Sequence, residues 1–144
     1  MSEAENAQIQ ERKKRNREDL KMPRGLAPEG KKAYQVIRQF LSRKKMTQTG
    51  GCKAFYKPAD WDKHEKPELG VEGAVLVVVF DGGDLASILN PAYERPDLMA
   101  ALNDELRKAG FWFEHITHWW VLVYPLKKTV EQEKEEAHVV AGNS

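Results

Sequence analysis

The chain has 144 residues, of which 41% are hydrophobic and 31% are charged, and its formal net charge is +1. This length fits one domain. No apolar run reaches the ~18 residues that a membrane helix needs, the N-terminal segment lacks the apolar core of a secretory signal, and one cysteine excludes an internal disulfide or a CxxC zinc site. We therefore expect a cytoplasmic protein without membrane contact.

The near-neutral total hides an uneven distribution of charge along the chain. Residues 1–48 carry 13 Lys and Arg against 6 Asp and Glu, whereas residues 49–144 carry 10 against 16. Such asymmetry favours contact with nucleic acid or another polyanion. The alternative interpretation is a solvated basic segment that keeps the chain soluble and binds nothing. The basic side chains are densest at Arg12, Lys13, Lys14, Arg15 and Arg17.

Residues 1–25 contain few apolar side chains, so burial offsets little of an ordering cost of about 1–2 kcal/mol per residue. Helix propensity in this segment is nonetheless good. We predict a flexible basic arm or a nascent helix that ends at Pro23 and Gly25. Residues 26–128 are predicted to form one domain, and residues 129–144 an acidic tail.

The first helix of the domain is predicted to begin at Pro28 and to stop near Met46. Apolar residues recur at three- and four-residue spacing, which is typical of an amphipathic helix. They are Tyr34, Ile37, Phe40 and Leu41, with Val36 beside them. Its polar face is basic, and we expect part of that face to add to the polyanion contact. The residues predicted for this role are Arg38, Arg43 and Lys44.

Two strand signals follow the first helix. Residues 52–56 predict a short strand, and residues 58–73 a loop with room for one helical turn. Residues 74–80 are seven consecutive apolar residues, mostly β-branched, which predict a central strand buried on both faces. Residues 81–95 are interpreted as irregular.

The second helix is predicted to open at Pro96 and to end before Gly110. For residues 111–124 we predict a hairpin that turns near Thr117 and His118, because one fourteen-residue strand would exceed the usual 3–10 residues. The order α-β-β-α-β-β predicts an α+β fold, in which two helices pack on a small, mostly antiparallel sheet.

Aromatic residues are concentrated in the predicted hairpin. Because side chains alternate between the faces of a strand, about half of them point away from the helices. An aromatic core accounts for most of them, and exposed members of the set predict a protein interface. The candidates for that interface are Trp112, Trp119 and Trp120.

Two further groups of residues suggest metal or nucleophile chemistry. Asp81 and Asp84 flank two glycines, so they offer either hard oxygen ligands for a divalent cation or a plain glycine turn. His115 and His118 are three residues apart, and His64 precedes the central strand. The three histidines would form a metal site only if a turn brought them together, and partly buried rim positions are the alternative.

Cys52 follows two glycines and precedes Lys53, whose charge would activate the thiol if it lowered the pKa. A histidine nearby would then act as its base. The alternative is a small buried hydrophobic residue. No catalytic residue, metal or cofactor is therefore predicted for the chain.

Three hypotheses for the function follow, in order of preference. The first is a non-enzymatic regulatory protein whose basic arm contacts nucleic acid weakly and without sequence preference. The second is an adaptor or inhibitor that meets a protein partner through its aromatic sheet face. The third is a metal- or cysteine-dependent enzyme built on Asp81, Asp84, His115 and Cys52.

Overall fold

A computed structural model describes residues 2–62 and 73–126. These residues form five α-helices and a four-stranded sheet, which confirms the α+β class. The helices are α1 (Glu3–Asp19), α2 (Pro28–Arg43), α3 (Pro58–Asp62), α4 (Gly83–Leu89) and α5 (Pro96–Lys108). The strands are β1 (Phe55–Tyr56), β2 (Leu76–Val79), β3 (Phe111–Thr117) and β4 (Trp120–Pro125). A 3-10 turn spans Pro91–Tyr93.

The four strands lie in the order β1-β2-β4-β3, and every neighbouring pair is antiparallel. The last strand, β4, therefore lies between β2 and β3, with Val77 opposite Leu122 and Phe113 opposite Val123. β3 and β4 form the predicted hairpin, and the register shifts by one residue just before its turn. Within the described chain, β1 and β3 are the edges of the sheet.

Both faces of the sheet centre are buried. On one face, Val78 and Val121 pack with apolar residues of α2, α4 and α5. On the opposite face, Val77 and Leu122 pack with Trp61, which α3 contributes. β2 is thus enclosed on two sides, which confirms the prediction from its continuous apolar run.

The segment after β2 is more regular than the sequence analysis predicts. Residues 81–95 were expected to be irregular, but they contain α4 and the 3-10 turn, and α4 buries Leu85, Ala86, Ile88 and Leu89. The helix has seven residues, too few to show a repeating apolar face. α3 supplies the single helical turn expected after β1, and residues 63–72 of that predicted loop lie outside the described residues.

α1 buries none of its own residues, as expected for a segment without an apolar stripe. Leu20, the residue that follows α1, differs from this expectation, because it is 3% exposed and belongs to the main core. The predicted arm is therefore a helix whose end is joined to the domain. The predicted acidic tail, residues 129–144, lies outside the described residues.

Two glycines let distant parts of the backbone touch beside α4. A Cβ atom on Gly50 would lie 2.7 Å from the carbonyl oxygen of Asp81, and one on Gly83 would lie 2.6 Å from the nitrogen of Gly50. Gly83 also has a φ of +74°, which L-residues rarely adopt. The loop after α2 therefore crosses the start of α4 in backbone contact.

Candidate nucleic-acid interface

The basic run of the sequence lies in the C-terminal half of α1, and all five of its cationic side chains are exposed. Successive helical residues are about 100° apart around the axis. Side chains at positions 12, 13, 14, 15 and 17 therefore point in nearly every direction around the helix. None of them forms an ion pair with any residue in the described part of the chain. The charges of Arg12, Lys13, Lys14, Arg15 and Arg17 are thus free to meet a polyanion.

Asn16 interrupts this basic run, and it is the residue of the run that faces the domain. Its Oδ1 accepts a hydrogen bond of 3.0 Å from the backbone N–H of Thr49. Three residues later, Asp19 accepts a 2.7 Å bond from the hydroxyl of Thr49, and its carbonyl accepts a 2.9 Å bond from the N–H of Ala54. The hydroxyl of Tyr34 donates to the carbonyl of Leu20. These bonds hold the end of α1 against α2 and the strand region.

The three basic residues predicted on α2 are less available than those of α1. Arg38 is half-buried, and its Nη1 is enclosed without a hydrogen-bond partner among the described residues. Arg43 pairs with Glu105 of α5 at 3.7 Å. Lys44 is exposed, with its ammonium 5.8 Å from the ring centroid of Phe40. Of the eight predicted contact residues, the five on α1 therefore form the larger group of exposed cations without an ion pair in the described chain.

The three tryptophans predicted as interface residues differ in burial. Trp120 is 1% exposed and packs in the interior, so its prediction as a contact residue is wrong. Trp112 is half-buried and stacks on Tyr124, with 4.8 Å between the ring centroids. Trp119, also half-buried, lies 5.9 Å from Trp61. Only Trp112 and Trp119 of the three reach the surface.

The structure separates the candidate metal ligands. The Nε2–H of His115 donates to the carbonyl of Leu89 at 2.7 Å, whereas His118 is exposed in the hairpin turn. Among the described residues, no group of three His, Cys, Asp or Glu side chains is placed to hold a metal ion. His64 lies outside the described residues.

Asp84 has a structural role that accounts for its position after two glycines. Its Oδ2 accepts from the N–H of Gln48 at 2.9 Å, while its own N–H donates to the carbonyl of Gln48 at 2.8 Å. The two bonds clamp the loop after α2 onto the start of α4. Asp81, by contrast, is exposed at the end of the central strand.

Cys52 lies in an environment that disfavours its thiolate. Burial raises the pKa of the thiol, the carboxylates of Asp81 and Asp19 raise it further, and a backbone hydrogen bond from Asp81 acts in the opposite direction. Lys53 was expected to activate the thiol, but its ammonium lies over the ring of Tyr56 at 4.5 Å. The hypothesis of an activated nucleophile is therefore not supported.

One surface feature has no counterpart in the sequence analysis. An open groove of about 740 Å³ lies between α5 and the edge strand β3. Among the α5 residues that line it, Met99, Asn103 and Arg107 recur at four-residue spacing beside the buried leucine stripe. This second periodicity is visible in the sequence, but it shows a groove only when the position of β3 is known.

Comparison of the chain with models of protein families, with curated proteins and with solved structures found no match. No helix in the described ranges is long and apolar enough to cross a membrane.

Proposed function

We propose that the protein binds nucleic acid through α1, weakly and with little sequence preference. The observation that carries this proposal is the set of five exposed cations, free of ion pairs in the described chain, around one anchored helix. Phosphate contacts of this kind supply affinity but carry no sequence information.

The shape of α1 supports the proposal as well as its charge. A helix with its side chains is about 10–12 Å wide, and the major groove of B-DNA is about 12 Å wide. A helix lying in that groove has phosphates on both sides, so cations spread around its axis find partners on both strands. α1 buries no side chain fully, and only the side that carries Asn16 and Asp19 faces the domain, so the rest of its circumference is available.

The rest of the chain limits where nucleic acid can bind. Residues 49–144 carry 10 basic against 16 acidic side chains, and this excess of negative charge repels phosphates. The hydrogen bonds of Asn16 and Asp19 attach the end of α1 to the domain, so the helix extends from the domain in a fixed position. Binding should therefore centre on the basic half of α1.

The test measures binding of a labelled 20-base-pair DNA duplex and of a 20-nucleotide single strand by fluorescence anisotropy between 20 and 300 mM NaCl. Each phosphate that a cation neutralises contributes about −0.9 to the slope of log K against log salt for duplex DNA, so five contacts predict a slope of about −4.5. Circular dichroism verifies that every variant is folded.

Two variants that lose the same amount of positive charge distinguish binding through α1 from binding through the overall charge of the protein. The α1 variant changes Arg12, Lys13, Lys14, Arg15 and Arg17 to Gln, which preserves helix propensity. The control variant changes five exposed lysines elsewhere to Gln: Lys31, Lys32, Lys45, Lys53 and Lys108. We expect the α1 variant to lose most of the slope and the control to keep most of it. Equal slopes, or no binding at 20 mM NaCl, would overturn the proposal.

A further inference from the structure

We propose that the groove between α5 and β3 binds an extended peptide segment of a partner protein, which joins the sheet as a fifth strand beside β3. This inference is independent of nucleic-acid binding, since it concerns a different surface. It rests on the free edge of β3, on the shape of the groove and on the charges that line it.

The outer edge of β3 presents backbone groups that no residue in the described ranges pairs with. Gly110 accepts a bond of 2.8 Å from the N–H of Leu126, and backbone groups alternate in direction along a strand. Trp112 and Glu114 therefore bond toward β4, whereas the backbone groups of Phe113 and His115 point away from the sheet. No backbone group of the described ranges bonds to them there. Such an edge pairs readily with another extended chain.

The groove beside this edge is built to take side chains. Glu105 marks the side of α5 that faces α2, because it pairs with Arg43. Met99 and Asn103 lie more than 100° around the axis from Glu105, on the side that overhangs the outer edge of β3. The half-buried side chains of Phe113 and His115 form the floor. The hydrogen bond of His115 to the carbonyl of Leu89 fixes one end of that floor.

The lining residues define the chemistry of the partner segment. Side chains that face α5 would meet Met99, Ala100 and Phe113, so apolar groups fit there. Three charged residues line the groove: Glu94, Arg95, which pairs with Asp97, and Arg107. Arg107 has no ion pair in the described part of the chain, and it favours a carboxylate on the same face of the segment. On the opposite sheet face, Glu114 favours a Lys or Arg. The fitting partner therefore alternates its side chains, with apolar groups and one acidic residue on one face and a basic residue on the other.

A second copy of this chain satisfies these requirements less well. If β3 of another copy were added in the antiparallel direction, the side chains entering the groove would be those of Phe111, Phe113 and His115. None of the three carries a carboxylate, so Arg107 would stay unpaired. Charge complementarity therefore selects a different protein as the partner.

The probe is a fluorescently labelled ten-residue peptide that alternates Val or Leu with Thr. It carries one Glu on the apolar face and one Lys on the other. Anisotropy measures its affinity for the full chain, and amide NMR shifts report where it binds. We expect the largest shifts at the backbone amides of Phe113 and His115. A matched peptide with N-methylated amides on its pairing edge should lose at least tenfold in affinity, because it cannot form the strand hydrogen bonds.

Two variants test the groove and its charge separately. Ala100→Trp fills the groove from an exposed position, and it should weaken binding at least tenfold. Arg107→Glu should weaken binding of the Glu peptide and improve binding of a peptide with Lys in its place. Lys108→Glu, one residue away and not in the groove lining, is the matched control and should leave this preference unchanged.

Four outcomes would overturn the inference. The first is failure of the full chain to bind the peptide. The second is an Ala100→Trp variant that binds the peptide as tightly as the parent chain does, and the third is a β3-mediated dimer detected by sedimentation. The fourth is binding that appears only after residues 127–144 are deleted, because the chain itself would then be the occupant. Thermal unfolding of each variant verifies that a loss of binding does not come from loss of the fold.

Discussion

The hydroxyl of Thr49 lies 2.7 Å from Oδ2 of Asp19, and this contact joins the loop after α2 to the last turn of α1. The hydroxyl also lies 3.0 Å from Oδ1 of Asn16, but that oxygen already accepts the backbone N–H of Thr49. One hydroxyl carries one proton, so we assign it to the carboxylate, where the bond is shorter and charge-assisted. Thr49 thus donates to two side chains of α1, to Asn16 through its backbone N–H and to Asp19 through its hydroxyl.

Replacing Thr49 by Val should lower the free energy of unfolding by about 1–3 kcal/mol, because the partly buried carboxylate of Asp19 loses its donor. Urea unfolding measures this change, and amide exchange at the end of α1 should accelerate with it. Thr47→Val is the control, since Thr47 forms no side-chain hydrogen bond in the described chain. Equal losses for the two variants would refute the assigned role.

Two N-terminal deletions should have different effects on stability. Deleting residues 2–15 removes exposed helix, and it should leave the unfolding midpoint nearly unchanged. Deleting residues 2–24 also removes Leu20, which is buried in the core, and should cost about 2–5 kcal/mol. Urea denaturation of both deletion variants gives the two free energies of unfolding. If the longer deletion were as stable as the shorter one, the domain would begin after residue 25 as the sequence predicts.

Gly83→Ala should destabilise the protein more than Gly51→Ala. Both glycines have positive φ, at +74° and +89°, so both substitutions carry a similar backbone strain of about 1–2 kcal/mol. Only at Gly83 would the new Cβ also meet backbone, whereas Gly51 faces open space. We expect an additional loss of about 1–3 kcal/mol at Gly83. Guanidinium unfolding of the two variants gives the difference directly.

The thiol of Cys52 should react slowly with iodoacetamide at pH 8. Its pKa is raised, mainly by burial and also by the carboxylate of Asp81, so less thiolate is present than for a free cysteine. Raising the pH should restore the rate. Asp81→Asn removes one charge that opposes the thiolate, so it should accelerate alkylation at fixed pH.

Asp104→Asn, an exposed change on α5, serves as the control for this experiment and should leave the rate unchanged. The alkylation rate is followed by mass spectrometry of the intact chain. An Asp81→Asn protein that reacts more slowly than the parent would contradict the electrostatic account.

Elements whose signal lies within their own residues could be predicted from the sequence. α5 has its leucines at four-residue spacing and a glycine at its end, and β2 is a continuous apolar run. α4 escaped prediction because its seven residues cover two turns and its start depends on backbone contact with Gly50, 33 positions earlier. The burial of Leu20 likewise depends on core residues from elements far along the chain.

The candidate site divides in the same way. The exposure of the α1 charges could be predicted, because a cluster of Lys and Arg without an apolar stripe offers no face that the core can bury. The burial of Trp120 could not, since it depends on Trp61 reaching the same sheet face from α3. The groove beside β3 depends on strand order, which no local pattern in residues 111–125 contains.

The position of β4 has a consequence for synthesis of the chain. β2 and β3 are both made before β4, yet neither pairs with the other, and each forms its ladder with β4. Until residues 120–125 leave the ribosome, the apolar run of β2 has only the two-residue β1 as a partner. A nascent chain stalled before that point would carry an open, hydrophobic strand edge, the kind of surface that aggregates or recruits chaperones. The sheet is therefore completed only when β4 has been made, because β4 joins β2 to β3.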